Sequence, residues 1–376
     1  MDFFCKNTGF FYKTCYTESR INRFEEVDFP MDFRNVYIDL CMGDDSEEKP
    51  LILEQVLFCP ALSWVCQELL ARGAQRFFVV CDESWKADVE RAVSDIAGAE
   101  VFTDADAAHA AAGACVTLTG AVLPIEGNAM PFGWLRVENR GELLAAASRC
   151  RAAVCQKLLV QGVTIIDPDT TYIDPRAKIG AGTVVMPNTI VRGKSVVGER
   201  CELGPNTMIR DCVVGNETTV NASQINESVI GNHVTVGPFA YVRPNCSVGD
   251  HCRIGDFVEL KNSVLEEGTK VSHLTYVGDS DIGKRVNFGC GTVTTNYDGV
   301  KKYRCTVGDD VFLGCNTNLV APVKVGEGAY TAAGSTITED VPAGALAVAR
   351  ARQENKQGWV QKFFARKKGQ GPQSFC

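Results

Sequence analysis

Ile173-Asp174-Pro175-Arg176-Ala177-Lys178-Ile179-Gly180-Ala181-Gly182-Thr183-Val184-Val185-Met186-Pro187-Asn188-Thr189-Ile190-Val191 decides the fold, because an aliphatic side chain returns at every sixth residue. The step continues through Val197, Leu203 and Ile209, with Gly180, Gly198 and Gly204 directly after three of the aliphatics. After five-residue steps near Val220, Ile225 and Ile230, the register resumes through Val236, Val242, Val248, Ile254 and Leu260, and later through Val307, Leu313, Leu319 and Val325. Self-similarity at this short period predicts a parallel β-helix of hexapeptide repeats. Each hexapeptide supplies one short strand and one turn, so about 18 residues close a triangular coil whose aliphatics point into the shaft. At about 4.8 Å per coil, roughly nine coils make a prism on the order of 40 Å long. Coils of this class wind left-handed, against the usual crossover rule. A single coil cannot bury its aliphatic row, so the ends of the stack need covers.

Upstream of the repeat the periodicity differs. Leu62, Val65, Cys66, Leu69 and Leu70 mark a helix face stopped by Gly73, and Arg76 to Cys81 is a short apolar run of strand type. A second amphipathic stretch runs through Trp85, Val89, Val93 and Ile96, and Ala114 to Thr119 reads as another strand. The alternation predicts a small, truncated α/β (Rossmann-like) unit with a parallel sheet over residues 31–139. Leu143, Leu144, Ala147, Val154, Cys155 and Leu158 then place a connecting helix in 140–162, ended near Gly162. The mainly β prism follows over 163–340 and a basic tail over 341–376. Residues 1–30 match no pattern, and Met31 offers an alternative start.

Composition narrows the function. The chain has 376 residues, 45% of them hydrophobic, and a formal charge of −8 from 38 basic and 46 acidic side chains. A nucleic-acid binder would show a basic domain, so none is expected as a partner. No apolar run reaches the length of a membrane span, and the Phe-rich start carries Asp2, Lys6 and Asn7, which reads as a soluble, cytoplasmic protein. Seventeen cysteines are scattered without a C-x-x-C pair, as expected of reduced, mostly buried thiols.

Chemistry on a regular prism belongs where regularity fails. The main failure is Gly289 to Arg304, where the inward aliphatics stop and Asp298-Gly299 signals a turn. A loop there would carry Asn296, Tyr297 and Lys302 away from their own coil. Of the four histidines, His233 and His251 lie one coil apart and stack on an exposed turn, whereas His273 sits beside the irregular loop and is the best general-base candidate. The three imidazoles also permit a subunit-interface metal reading, although they differ in phase and no supporting carboxylate pattern accompanies them. No metal is expected. Arg243 and Lys261 each follow an inward aliphatic and lie one full coil apart, so they stack about 5 Å apart and could cradle a phosphate, with Glu259 nearby as the competing partner. Arg350 to Lys368 holds seven basic residues against Glu354, either a solvated tail or a clamp on an anionic cofactor.

Four segments, Gly237-Pro238-Phe239-Ala240-Tyr241-Val242-Arg243-Pro244, Gly255-Asp256-Phe257-Val258-Glu259-Leu260-Lys261, His273-Leu274-Thr275-Tyr276-Val277-Gly278-Asp279 and Asn296-Tyr297-Asp298-Gly299, carry a resemblance. They closely resemble the acetyltransferase half of the bacterial bifunctional N-acetylglucosamine-1-phosphate uridyltransferase / glucosamine-1-phosphate acetyltransferase, continuously from about Gly162 to Trp359. The resemblance implies a homotrimer that moves acetyl from acetyl-CoA to the amine of glucosamine 1-phosphate. Arg243 and Lys261 would hold the sugar phosphate, His273 would deprotonate the amine, and Tyr276 and Asn287 would position the sugar. Asn296 would orient the acetyl group with Tyr297 beside it, and Lys302 would reach in from a neighbouring chain. Cys315, where the family often has serine, would bind coenzyme A together with Ala333 and Arg350.

The first half resembles the same family's nucleotidyltransferase domain only in remnants. Val116 to Pro124 is similar to its strand ending in Gly-Asp, but Ala121 replaces the magnesium-binding carboxylate, and Glu138 stands where a second ligand, an asparagine, is placed. No G-x-G-x-x-R-M loop precedes Lys49-Pro50. The resemblance therefore implies that uridyltransferase activity is lost and that this unit is structural. Two other readings remain: a hexapeptide acyltransferase acting on another amino sugar, and a non-catalytic trimeric scaffold, which would need none of His273, Arg243, Lys261 and Asn296.

Overall fold

The computed structural model describes residues 34–41, 49–126 and 134–368. Residues 1–30 and Met31 lie outside the described residues. The N-terminal unit holds a four-stranded parallel sheet in the order Ala99–Phe102, Arg76–Val80, Asn35–Asp39, Val116–Thr119. Helix α1 (Ala61–Ala71) follows the expected apolar face, and Gly73 takes a φ of 106° just past its end. The second amphipathic stretch becomes a 3-10 turn (Glu83–Trp85) running into α2 (Lys86–Val93). The central strand Asn35–Asp39, the edge strand Ala99–Phe102 and α3 (Ala105–Ala112) are elements the sequence pattern did not mark. An antiparallel pair, Ala121–Glu126 with Trp134–Val137, completes the unit.

The connector is α4 (Arg140–Val160). Its start is a reciprocal cap, in which the Asn139 side chain accepts from Glu142 N–H at 2.9 Å and the Glu142 carboxylate accepts from Glu138 N–H at 2.9 Å. Ala146, Cys150, Val154, Cys155 and Leu158 are buried in one core with Val163, Ile165 and Ile173 of the first coils, so α4 covers that end of the prism. Leu144, expected on the buried face, is 78% exposed, because the burying stripe runs one position away through Leu143 and Ala146.

The prism has three parallel faces. The first runs from Tyr172–Ile173 to Thr336–Ile337 in ten strands, the second from Lys178–Ile179 to Val323–Val325 in nine, and the third from Thr164–Ile165 to Leu346–Ala347 in eleven. Every aliphatic of the six-residue series is buried, from Ile173 to Val325. A second column lies two residues before the aliphatics, where Thr183, Ser195, Cys201, Thr218, Cys252 and Thr269 turn hydroxyl or thiol groups onto backbone carbonyls. Thr183 Oγ1 donates to Gly198 O at 2.9 Å, Cys201 Sγ to Gly215 O at 3.1 Å and Thr269 Oγ1 to Gly283 O at 2.7 Å. A buried carbonyl left unpaired is costly, and serine, threonine and cysteine all supply a small donor there. This position absorbs part of the cysteine count, and every cysteine among the described residues is a free thiol. The glycines after the aliphatics permit close stacking, since a Cβ on Gly180 would lie 2.6 Å from the Gly198 backbone.

The break in the repeat is narrower than Gly289 to Arg304. Val293–Thr295 is still a strand, with the buried Thr294 in the inward position. Ile282 pairs with Val307 and Val307 in turn with Val325, so the coil that starts at Ile282 carries a seven-residue insertion relative to the coil that follows it. The insertion folds back on itself through an antiparallel bridge between Tyr297 and Lys302. At the far end, α5 (Trp359–Lys368) follows residues 348–358, which are exposed. Among the described residues, no helix is long and apolar enough to cross a membrane.

The shaft contacts set a stability test. Leu203→Ala should lower stability by about 2–5 kcal/mol, the range for truncating a fully buried leucine, whereas the 49% exposed Val213→Ala should change it by about 0.5 kcal/mol or less. Thermal midpoints of the two variants against the parent chain provide the check; equal shifts would contradict the inward placement.

Candidate functional site

Two clusters form on opposite edges of the first face. On the edge shared with the third face, strand Arg253–Asp256 pairs with Lys270–His273 so that Asp256 lies beside His273. The His273 Nδ1 to Asp256 Oδ1 distance is 2.6 Å. With a carboxylate as acceptor, Nδ1 carries the ring proton and the Nε2 lone pair is left to accept another. The imidazole is 54% exposed. The hydrogen bond from His273 holds the Asp256 carboxyl below its ordinary value.

On the edge shared with the second face, Arg243 and Lys261 occupy equivalent positions of adjacent coils, one residue past Val242 and Leu260. Arg243 Nη1 meets Glu259 at 2.9 Å and Lys261 Nζ meets Asp279 at 2.9 Å. Asn262 Nδ2 donates to Asp279 at 2.6 Å, and Asn296 Nδ2 donates to the same carboxylate. Burial works to raise the Asp279 pKa, but the hydrogen bonds from Asn262, Lys261 and Asn296 outweigh it and hold the group below its ordinary value. Asp279 in turn keeps Lys261 protonated. The folded-back insertion sets Lys302 beside Lys261, whose amine and positive charge push the Lys302 pKa down. Lys302 therefore meets Lys261 of its own chain, two strands back along the first face from Val293–Thr295, with the Tyr297–Lys302 bridge folding the insertion back on itself.

Tyr276 lies between the edges. Its hydroxyl is 3.4 Å from Asn296 Nδ2, and its ring lies so close over Gly278 that a Cβ there would meet the hydroxyl at 2.3 Å. The two clusters are separated by a face about three residues wide, roughly 10 Å. Asn287 sits on the third face, paired with Lys270 and Phe312, one coil beyond the strand that ends in His273. Tyr297 is exposed and spends its hydroxyl on Gly299 O at 2.6 Å, so it braces the loop.

The edge that carries His273 continues through small residues. Val271 pairs with Phe288 and Phe288 with Leu313, which stacks His273, Cys290 and Cys315 at equivalent turn positions; Ala333 follows one coil later. Cys315 and Ala333 are exposed, and Arg350 lies over Gly334 at the end of the row. His233 and His251 stack with ring centroids 4.8 Å apart on the turn between the second and third faces, a different edge from that of His273, so the three imidazoles do not converge.

Sequence reasoning missed Asp256, Asn262 and Asp279. The signal was present: Asp256 precedes His273, and Lys261 precedes Asp279, by one coil in each case. In the N-terminal unit, Ala121 and Glu138 line one cavity of about 330 Å³ with Leu40, Ile52, Thr119 and Arg136. Among the described residues lining it, Glu138 is the only carboxylate.

The three-faced prism is the arrangement expected of stacked hexapeptide repeats. The family described as bacterial transferase hexapeptide (six repeats) matches residues 176–211, 227–262 and 304–339. Over about three fifths of its length the chain is similar to bifunctional GlmU proteins. It is 51% identical over 231 residues to "Bifunctional protein GlmU" of Geobacillus sp. (strain WCH70), covering 61% of this chain and 50% of that protein. It is 54% identical over 225 residues to the protein of that name from Caldanaerobacter subterraneus subsp. tengcongensis, covering 60% and 49%. The chain spans about half the length of the curated relatives it matches. Among solved structures, Francisella novicida UDP-N-acetylglucosamine acyltransferase is 16% identical with a TM-score of 0.29, covering 54% of this chain and 73% of that one.

The Asp256 contact gives a pH test. A depressed carboxylate pKa contributes stability that is complete above the unfolded-state value and is lost as pH falls through the folded one. A titration followed on the His273 ring resonances should therefore show a carboxylate step below the ordinary aspartate range. Asp256→Asn should remove that step; its persistence would assign it to another group.

Proposed function

We propose that this chain transfers acetyl from acetyl-CoA to the amine of glucosamine 1-phosphate, giving N-acetylglucosamine 1-phosphate for UDP-N-acetylglucosamine and cell-envelope synthesis in the cytoplasm. The observation that carries this reading is the cationic group Arg243, Lys261 and Lys302, one face away from an imidazole whose Nδ1 is already engaged by Asp256. Three cations gathered on one edge call for a multiply charged anion, and a sugar ring spans the distance from that anion to Nε2. The amine attacks the thioester carbonyl, the new C–N bond forms as the C–S bond breaks, and Nε2 of His273 takes the amine proton and can return it to the departing thiolate. Asp256 keeps Nε2 aimed outward and stabilises the imidazolium that forms, as in other imidazole–carboxylate pairs.

Tyr276 and Asn287 flank the space a sugar would occupy, and Asn296 acts chiefly through Asp279, ordering Lys261. The row Cys315, Ala333 and Arg350 suits coenzyme A: small side chains leave room for an extended arm along the edge, and the terminal guanidinium meets a phosphate. No cysteine needs to be a nucleophile in this direct transfer. A homotrimer would set these edges side by side and enclose the thioester between prisms. The N-terminal unit, lacking a pair of metal-binding carboxylates among the described residues of its cavity, serves as an end cover without uridyltransferase activity.

An acetyl-transfer assay with glucosamine 1-phosphate tests the reading. His273→Ala should reduce kcat by about 10²- to 10⁴-fold, the usual size of a general-base contribution. Lys302→Gln should act mainly on KM for the sugar phosphate, since the phosphate charge is constant through the reaction. Full activity in His273→Ala would overturn the mechanism. Purified protein should make no UDP-N-acetylglucosamine from UTP, and sedimentation should show three chains per particle; an active monomer would contradict the shared-edge arrangement.

A further inference from the structure

We propose that the cleft between the N-terminal unit and the first coils is a second binding site, for a phosphomonoester of a polyol or amino sugar, with its phosphate held by Arg192 and Arg210. Register pairs place Arg192 beside Arg210, Arg210 beside Asn226, Asn226 beside Arg243 and Arg243 beside Lys261. One column of the first face thus carries two cation pairs, the members of each about 4.8 Å apart; the buried Asp174, one strand before Arg192 at the same phase, is engaged by Arg176 and by Gly193 N–H. The upper pair is the cradle described above. The lower pair repeats it near the domain junction, against a cavity of about 370 Å³.

The charges around the cavity are unevenly matched. Arg176 is paired with Asp174, Lys194 with Asp95 at 2.5 Å, and Arg210 with Glu227 at 2.8 Å through Nη2. Arg192 has no carboxylate or hydrogen-bond acceptor among the described residues; its contact is the ring of Phe58, 4.8 Å from the guanidinium carbon. Nε of Arg192 and Nε of Arg210 are both buried without a hydrogen-bond partner, and so is Oδ1 of Asn226, a residue only 2% exposed. Buried donors of a charged group left unmade are costly, and two guanidinium forks on adjacent coils match the oxygens of one phosphate.

Phe58 closes the cleft from the other side. It is held at a φ of 74°, a conformation bulky residues rarely take, with its carbonyl 3.5 Å from Arg176 Nη2. Asp211 fixes the ligand class. Its carboxylate lines the same cavity, accepting from Lys194 N–H at 3.1 Å, and so opposes a polyphosphate while suiting a hydroxyl or amine on the ligand body. The volume matches a single sugar phosphate, and the site does not depend on the acetyl-transfer reading.

Calorimetric titration of the full chain with glucosamine 1-phosphate and, separately, inorganic phosphate tests this. In an Arg243→Gln chain, whose upper cradle is weakened, the sugar phosphate should still bind one site per chain and raise the thermal midpoint. Adding Arg192→Gln should weaken that binding at least tenfold, while Arg192→Gln alone leaves acetyl-transfer kcat unchanged and Arg192→Lys keeps part of the affinity. Loss of all binding in Arg243→Gln, or unaltered binding when Arg192→Gln is added, would overturn the second site. Inorganic phosphate binding as tightly as the sugar phosphate would overturn the role given to Asp211. Should Arg192→Gln fail to fold, the midpoint shift in Arg243→Gln and its absence in Arg210→Gln/Arg243→Gln decide the matter.

Discussion

The structure depends on the contact between one coil and the next. Each coil offers only three inward aliphatics of the six-residue series, far too little apolar area to order its own backbone, so burial is achieved only by stacking. Ile209, Ile225, Val242 and Leu260 show the result, successive members of one face that are all fully buried. The strand spacing that satisfies the backbone also sets the distance between side chains of equivalent phase. A hexapeptide prism is therefore a ruler, and residues one coil apart meet whatever their chemistry.

That constraint explains how chemistry is built without disturbing the shaft. Asp256 meets His273, and Arg243 stacks over Lys261, because their coils are in register, with no special loop needed for either contact. The insertion after Thr295 is tolerated because its two ends rejoin the register, Ser280 pairing with Cys305 and Ile282 with Val307. It carries Lys302 back to Lys261, two strands earlier on the first face. The N-terminal unit obeys a different rule: its parallel sheet needs helices on its faces, and α4 then transfers its apolar stripe to the first coils.

Much of the fold was legible because the aliphatic column is written with a fixed step, and each member lies where the step puts it. The column of small donors was legible too and went unread, since threonine, serine and cysteine look unlike one another until their shared phase is noticed. In the first 139 residues the pattern marked two helices and two strands of the α/β unit and missed the remaining elements for physical reasons. Asn35–Asp39 is central to its sheet yet only five residues long, with polar residues at both ends, and α3 is built largely of alanines that give little contrast between faces. For the site, His273, Arg243 and Lys261 stood out as chemistry at special phases. Their carboxylate partners were hidden because coil length is not constant, the step from Asp256 to His273 being one residue shorter than the step from Lys261 to Asp279. The place of Lys302 was not legible, because nothing in its sequence shows a loop folding back.

The sign of the local charge completes the picture. A chain with a formal charge of −8 presents arginine or lysine at four of five consecutive positions of one column, which would repel if left alone. Glu259 and Asp279 sit against the upper pair and Glu227 against Arg210, so most of these cations are ordered before any ligand arrives. Such pairing costs affinity, because an incoming phosphate must share each cation with a carboxylate, but it avoids the larger cost of gathering mobile side chains at binding. Arg192, the cation of the column without an ion pair among the described residues, and Lys302, which the insertion adds beside its upper pair, are then the ones whose interaction with an anion is made rather than exchanged. The column thus separates two tasks, with paired cations setting geometry and unpaired ones supplying the net attraction.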